Sequence, residues 1–237
     1  IDFQGGRNDP ALTIGEYAFY GCNALNALEL PANLKVLEDY AFGGISRLTA
    51  VTINTAIKEI DYSNQAFTST SGTVSITTVE LGPEVPEFDI AGVFGSANLR
   101  DVIVDENNPN FESIDGVLFN SDGTRVLYYP NGRTGAYTLP DTVTGIGGGV
   151  FSGNTNLTGI TIGHNVTSIG EGAFNGCTQL GFVSFTGTGT KLEIGKRAFL
   201  SCTSLTELTI PSWTVSIGDE AFAGCTGLTS VTVPEGV

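Results

Sequence analysis

Apolar residues recur along this chain on a long frame, not on the short period of one helix or one strand. Ala or Val followed by Phe occurs at Ala18-Phe19, Ala41-Phe42, Ala66-Phe67, Val93-Phe94, Val150-Phe151, Ala173-Phe174, Ala198-Phe199 and Ala221-Phe222. Successive Phe positions lie 23, 25, 27, 57, 23, 25 and 23 residues apart. Five residues before the Phe sits an apolar residue, usually followed by Gly: Ile14, Leu37, Ile146, Ile169, Ile194 and Ile217. Six residues after it comes Leu, at Leu25, Leu48, Leu157, Leu180, Leu205 and Leu228. Offsets of 9 and 11 bring two more apolar residues, such as Leu28 and Leu30, Ile160 and Ile162, or Leu208 and Ile210. That alternation is the period of a strand with one buried face. Pro or Gly often ends the strand (Pro31, Gly82, Pro140, Gly163, Pro211, Pro234), a second short extended segment follows, and Gly-x-x-Ala-Phe turns the chain back.

A lone unit of this length cannot bury enough apolar surface to offset the entropy of ordering it, so units must stack and share their Phe and Leu columns. The pattern predicts a β-rich repeat solenoid: a right-handed coil with a parallel β-sheet on one face and short extended or turn segments on the other. Residues 1–237 read as one domain of about eight repeats of 23–27 residues. The 57-residue gap holds a divergent insert at about 105–135. Within it, Asp115-Gly-Val-Leu-Phe119 and Arg125-Val-Leu-Tyr-Tyr-Pro130 flank Ser121-Asp-Gly123, which reads as a β-hairpin. Both ends fall inside repeats, and a longer parent protein is the expectation.

The frame resembles the BspA-like class of leucine-rich repeats. Leu157-Thr-Gly-Ile-Thr-Ile-Gly-His-Asn-Val-Thr-Ser-Ile-Gly-Glu-Gly-Ala-Phe-Asn-Gly-Cys177 carries the likeness, as does Leu205-Thr-Glu-Leu-Thr-Ile-Pro-Ser-Trp-Thr-Val-Ser-Ile-Gly-Asp-Glu-Ala-Phe-Ala-Gly-Cys225. The resemblance covers nearly the whole chain. It implies an extracellular or surface-displayed bacterial protein that binds host or neighbouring-cell macromolecules.

Composition agrees with a turn-rich β protein: 15% charged residues, 32 Gly and 9 Pro leave little for long amphipathic helices. The net charge of −15 repels phosphate backbones and anionic lipid, which argues against nucleic acid and membrane surfaces as partners. No run approaches the 18 apolar residues of a membrane-spanning helix. The charge is uneven, with 17 acids and 5 bases in residues 1–118 against 8 and 5 in residues 119–237. Glu80, Glu84, Glu87, Asp89, Asp101, Asp105, Glu106, Glu112 and Asp115 stand nearly unopposed but for Arg100. They read as a solvated surface, a patch for a basic partner or a loose calcium site, although no established calcium-loop spacing supports the metal.

Candidate chemistry is sparse. Cys22, Cys177, Cys202 and Cys225 each sit three residues after a repeat Phe, in a slot that elsewhere holds Ile45, Thr70, Ala97 or Asn154. That variability predicts free thiols in a small core slot; neighbouring coils leave a disulfide open, and no ligand spacing suggests zinc. His164, the only histidine, reads as an exposed turn residue without a nucleophile partner. No nucleophile elbow, phosphate-cradling loop or zinc-protease motif occurs, so no catalytic, cofactor or metal residues are assigned and the chain reads as no enzyme.

The outward positions of the strands are the candidate interaction face. One column reads Glu29, Thr52, Glu80, Ile103, Thr161, Ser184, Thr209 and Thr232. The preceding column reads Ala27, Ala50, Thr78, Asp101, Gly159, Phe182, Glu207 and Ser230. Phe182, Ile103 and Tyr128 are the bulky exceptions on an otherwise flat, Thr-rich surface, and exposed aromatics are typical anchors of binding. Trp213 follows a strand end and is expected half-exposed on the flank. The first functional reading is a secreted or surface module that binds an extracellular protein or glycan through this face. A spacer presenting other domains comes second, and a glycan-processing enzyme a distant third.

Overall fold

The computed structural model describes residues 3, 8–54, 61–62, 66–68, 75–94, 98–235 and 237. The chain forms a parallel β-solenoid with almost no helix, and its contacts group it into two compact units, Ile1–Ser121 and Asp122–Val237.

In the first unit the elements run β1 (Leu12–Ile14), β2 (Ala27–Leu30), β3 (Leu34–Leu37), β4 (Ala50–Ile53), β5 (Asp61–Tyr62), β6 (Thr78–Leu81), α1 (Ile90–Phe94), β7 (Asp101–Val104), β8 (Phe111–Ile114) and β9 (Val117–Asn120). Strands from the +9/+11 segments pair in parallel as β2-β4-β6-β7, and the second segments as β1-β3-β5. The register sets Leu28, Val51, Val79 and Val102 in one buried row, and Glu29, Thr52, Glu80 and Ile103 in the outward row beside it. Phe19, Phe42, Phe67 and Phe94 stack face to face with centroids 5.0, 5.7 and 4.8 Å apart. Sequence periodicity gave no sign of α1, a single helical turn that delivers Phe94 to this column.

The unit closes with the antiparallel hairpin β8–β9, whose turn residues are Asp115 (φ 49°) and Gly116 (φ 74°). Two successive left-handed residues match the twist of the strands they join, which favours Asp-Gly here. Besides the hairpin that the sequence reading centres on Ser121-Asp122-Gly123, this tighter turn is a further one six residues earlier. Ser113 Oγ donates to Val102 O, and Val102 N donates to Gly116 O at 2.9 Å, which ties the hairpin to β7.

The second unit comprises β10 (Arg125–Tyr128), β11 (Gly135–Thr138), β12 (Gly145–Ile146), β13 (Leu157–Gly163), β14 (Ser168–Ile169), β15 (Phe182–Thr186), β16 (Leu192–Ile194), β17 (Glu207–Thr209), β18 (Thr214–Ile217) and β19 (Ser230–Thr232). One parallel sheet runs β11-β13-β15-β17-β19, and the second segments pair in the order β10-β12-β14-β16-β18. Its aromatic column is Tyr129, Phe151, Phe174, Phe199 and Phe222, with successive centroids 4.8, 4.6, 4.9 and 5.2 Å apart. Tyr129 therefore takes the Phe position inside the divergent stretch.

A further ladder of backbone bonds joins the turns around these rings. Phe151 N, Phe174 N and Phe199 N donate to Ala173 O, Ala198 O and Ala221 O of the next coil at 2.9, 2.7 and 2.7 Å. Two residues on, Gly153 N, Gly176 N and Ser201 N donate to Asn175 O, Leu200 O and Ala223 O. The chain reverses through a left-handed residue on each side of the Phe: Gly172 and Gly176, Arg197 and Ser201, Glu220 and Gly224. The Gly four residues before the Phe has a different cause, since a Cβ on Gly170 would lie 2.5 Å from Gly148 N, and one on Gly218 2.5 Å from Lys196 N. Coils approach too closely there for any side chain.

The cysteine slot behaves as expected in three coils and not in the first. Cys177 and Cys202 are buried and Cys225 half-buried, their Sγ atoms 3.0, 3.2 and 3.2 Å from the Phe151, Phe174 and Phe199 carbonyls that accept from them. Cys22 is exposed, a correction to the core reading: it belongs to the first Ala-Phe coil of the sequence, and among the described residues no earlier coil packs over it. All four are free thiols. Thr70 and Ala97 of the same slot lie outside the described residues.

Asn154 uses the slot differently. Fully buried, its Oδ1 accepts from Asn156 N at 2.9 Å and Leu157 N at 2.8 Å, while Asn156 Nδ2 donates to Asn131 O of the coil before. Asn108 repeats the device: its Oδ1 accepts from Asn110 N and Phe111 N, and Asn110 Nδ2 donates to Val85 O. Asn-x-Asn followed by a buried apolar residue is thus a latch at a strand start. Its two copies stand 46 residues apart in the sequence.

Candidate functional site

Strand pairing in the second unit aligns Ala136, Gly159 and Phe182 in one outward row and Thr138, Thr161 and Ser184 in the next. Glu207 pairs with Phe182 and Ser230, and Thr209 pairs with Thr232. Thr209 and Thr232 are exposed, Thr161 and Ser184 half-buried, and Phe182 is 46% exposed. In the first unit Glu29, Glu80 and Ile103 are exposed and Thr52 half-buried, with Thr52 Oγ1 donating to Glu80 Oε2 at 3.1 Å and Asn54 Nδ2 to Glu29 Oε1 at 2.6 Å.

Tyr128 does not belong to this face. On β10 it shares inward parity with Val126 and is 3% exposed, while Leu127 takes the outward position at 36%. Burial pushes the Tyr128 phenol up to about 12, and its place is in the core.

The regular outer face opens between β15 and β17. Those strands pair only at Phe182 and Glu207, whereas β13 and β15 pair over five residues. The cause is readable in the sequence. This repeat is 25 residues long, not 23, and the surplus falls in Gly187-Thr-Gly-Thr190, directly after β15. A Cβ on Gly187 would sit 2.7 Å from His164 Nδ1, and one on Gly189 2.5 Å from Trp213 Nε1, so the loop runs pressed between the two rings.

The result is an open groove of about 460 Å³, lined by Phe182, Ser184, Phe185, Glu207, Thr209, Pro211 and Trp213 among others. Phe185 occupies the inward position that Ile162 fills on β13, yet it is only half-buried because the neighbouring strand has drawn away. The Phe182 ring lies over Gly159 on β13, and Glu207 is its register partner on the other side. Among the described residues no lysine or arginine lines the groove. Phe182, Ser184 and Thr209 stand in the outward columns read from the sequence, which also puts Trp213 on the flank; Phe185 and the groove itself depend on the two extra residues.

Part of the acidic stretch is engaged in turns. Asp89 Oδ1 accepts from Gly92 N, Asp105 Oδ1 accepts from Asn107 N, and Asp115 forms the hairpin turn. Among the described residues no three His, Cys, Asp or Glu side chains gather closely enough to hold a metal ion. His164 is exposed in its turn, packed against Gly187. No described helix is long and apolar enough to cross a membrane.

Comparison with known proteins bears on this arrangement. The family model of the BspA type leucine rich repeat region matches residues 8–124 and 127–237, in six copies. No match is found among curated proteins. A leucine rich cell surface protein from Faecalibacterium prausnitzii is 26% identical with a TM-score of 0.64, over 93% of this chain and 56% of its own. The pneumococcal vaccine antigen PcpA shares the fold at 20% identity and a TM-score of 0.59, over 90% of this chain and 63% of its own. A leucine-rich repeat protein from Eubacterium ventriosum does so at 20% and 0.51, over 89% and 73%. The chain thus spans little more than half the length of the Faecalibacterium protein.

Proposed function

Since the chain belongs to the BspA-type leucine-rich repeat family, we propose that it is a cell-surface or secreted bacterial module that binds an extracellular protein or glycan through the outer face of its strands. One observation carries the reading: Phe182, at 46% exposed, stands in the outward row beside an open aromatic groove. Aromatic side chains that become buried on association are frequent anchors of binding. The family and the name of the Faecalibacterium protein support a surface location. The module works by presenting a rigid surface and is no enzyme. A spacer role is the second reading, favoured by the 56% share of the longer Faecalibacterium protein.

Binding of the purified chain to matrix proteins, mucins and glycans, at two salt concentrations, tests the proposal beside a Phe182→Glu/Thr161→Arg variant. A ligand lost in the variant supports the strand face. A ligand kept by the variant but weakened by salt moves the site to the acidic surface of residues 80–115. A negative result across the panel favours the spacer.

A further inference from the structure

We propose that the groove between β15 and β17 receives a lysine or arginine side chain from an extended segment of a protein ligand. The inference rests on the strand-face reading and supplies the ligand chemistry that reading leaves open. Three aromatic side chains, Phe182, Phe185 and Trp213, border one opening, and aromatic faces attract cations through their ring quadrupole. Glu207 brings a carboxylate to the same opening, paired in register with Phe182 and with no lysine or arginine along the lining to neutralise it. Two cations of the same coil pair with other carboxylates: Lys191 Nζ lies 2.8 Å from Glu193 Oε1, and Arg197 Nε 2.6 Å from Glu220 Oε2. An aromatic-walled opening with one uncompensated carboxylate complements a cation on an apolar stem, the form of both basic side chains.

The geometry also explains why one coil in the stack carries the site. The equivalent row holds Gly159 one coil earlier and Ser230 one coil later, neither of which supplies a ring or a charge. Here a two-residue surplus falls directly after β15, the strands pair at a single position, and Trp213 borders the opening. Ser184 and Thr209 hydroxyls flank the floor and suit the backbone of an extended segment.

Trp213 is the only tryptophan, so its fluorescence reports on this opening alone. The test titrates the intact chain with hexa-arginine and hexa-lysine amides, with hexaglutamate and maltohexaose as comparison probes. The expected result is a saturable change in Trp213 emission with the cationic peptides. It should weaken at least tenfold in Glu207→Gln and Phe182→Ser, and less than twofold in Glu235→Gln, which removes the same charge from an exposed site outside the lining. Unchanged melting temperatures in all three variants exclude misfolding as the cause. The proposal is overturned by a flat emission, by equal weakening in Glu207→Gln and Glu235→Gln, or by a response to maltohexaose in place of the peptides. Each of these outcomes leaves the strand-face reading to be decided separately by the ligand panel and its Phe182→Glu/Thr161→Arg variant.

Discussion

The Phe182 ring lies over Gly159, its register partner on β13, so closely that a Cβ on Gly159 would fall 2.1 Å from ring Cε1. The atoms in the way belong to the far end of a side chain with open space beside it. Gly170 meets a different obstacle, because its added Cβ would lie 2.5 Å from the backbone nitrogen of Gly148. Gly159→Ala should therefore swing the ring toward Glu207 and leave the urea midpoint nearly unchanged. Gly170→Ala has to separate two coils and should cost about 1–3 kcal/mol, as overpacking against a rigid partner does. Urea unfolding of both variants checks this, and equal costs would sink the distinction between ring and backbone.

Ser201 has φ 60° at the turn position where Gly176 and Gly224 stand in the adjoining coils. A side chain in the left-handed region costs about 1–2 kcal/mol, and glycine returns about 0.5–1 kcal/mol of that through its own entropy loss on folding. Ser201→Gly should stabilise the chain by about 0.5–1 kcal/mol, and Gly176→Ser should destabilise it by a similar amount. Chemical denaturation reads both signs. A loss of stability in Ser201→Gly would mean that the hydroxyl contributes more than the strain it brings.

Phe174 is packed between Phe151 at 4.6 Å and Phe199 at 4.9 Å, with rings within 11° and 2° of parallel. Truncation leaves a cavity that both neighbours border, so Phe174→Ala should cost about 3–5 kcal/mol. Thr161→Ser, in the outward row, should stay within about 0.5 kcal/mol of wild type. Thermal and urea unfolding measured together decide the matter, since a Phe174→Ala chain as stable as wild type would remove the ring from the core.

The sequence carried the architecture because the repeat states it eight times. Phe174, Leu180, Val183 and Ile169 sit at fixed offsets whose only common environment is a stacked core, and each is buried. Single-copy features were harder to read. Tyr128 is buried, against its expected exposure: the divergent stretch has no second copy from which to fix strand parity. Tyr129 filled the aromatic column unannounced, since Tyr-Tyr-Pro looks unlike Ala-Phe. The groove was hidden for a related reason: a surplus of two residues is visible in the spacing, but its effect on pairing at Phe182 and Glu207 is a matter of three dimensions.

Alkaline pH offers a direct reading of the cysteine slot. Burial is the largest influence on the Cys177 thiol and pushes it up from 9.0 to about 12, and burial acts likewise on the Tyr128 phenol, from 10.0 to about 12. The buried group holds its proton where the unfolded chain would release it. Its contribution is therefore complete below pH 9 and is lost as the pH rises from there toward 12. Each such group tilts stability by about 1.4 kcal/mol per pH unit inside its window. Urea unfolding of the wild type should thus weaken steeply between about pH 9 and pH 11. Cys177→Ala should start lower, for want of a packed side chain, and then fall less steeply. At pH 8 a disulfide-exchanging reagent should modify the exposed Cys22 at once, and Cys177 only after the chain is unfolded. Parallel pH profiles for wild type and Cys177→Ala, or prompt labelling of Cys177 in the folded chain, would show that the slot beneath Phe151 admits water.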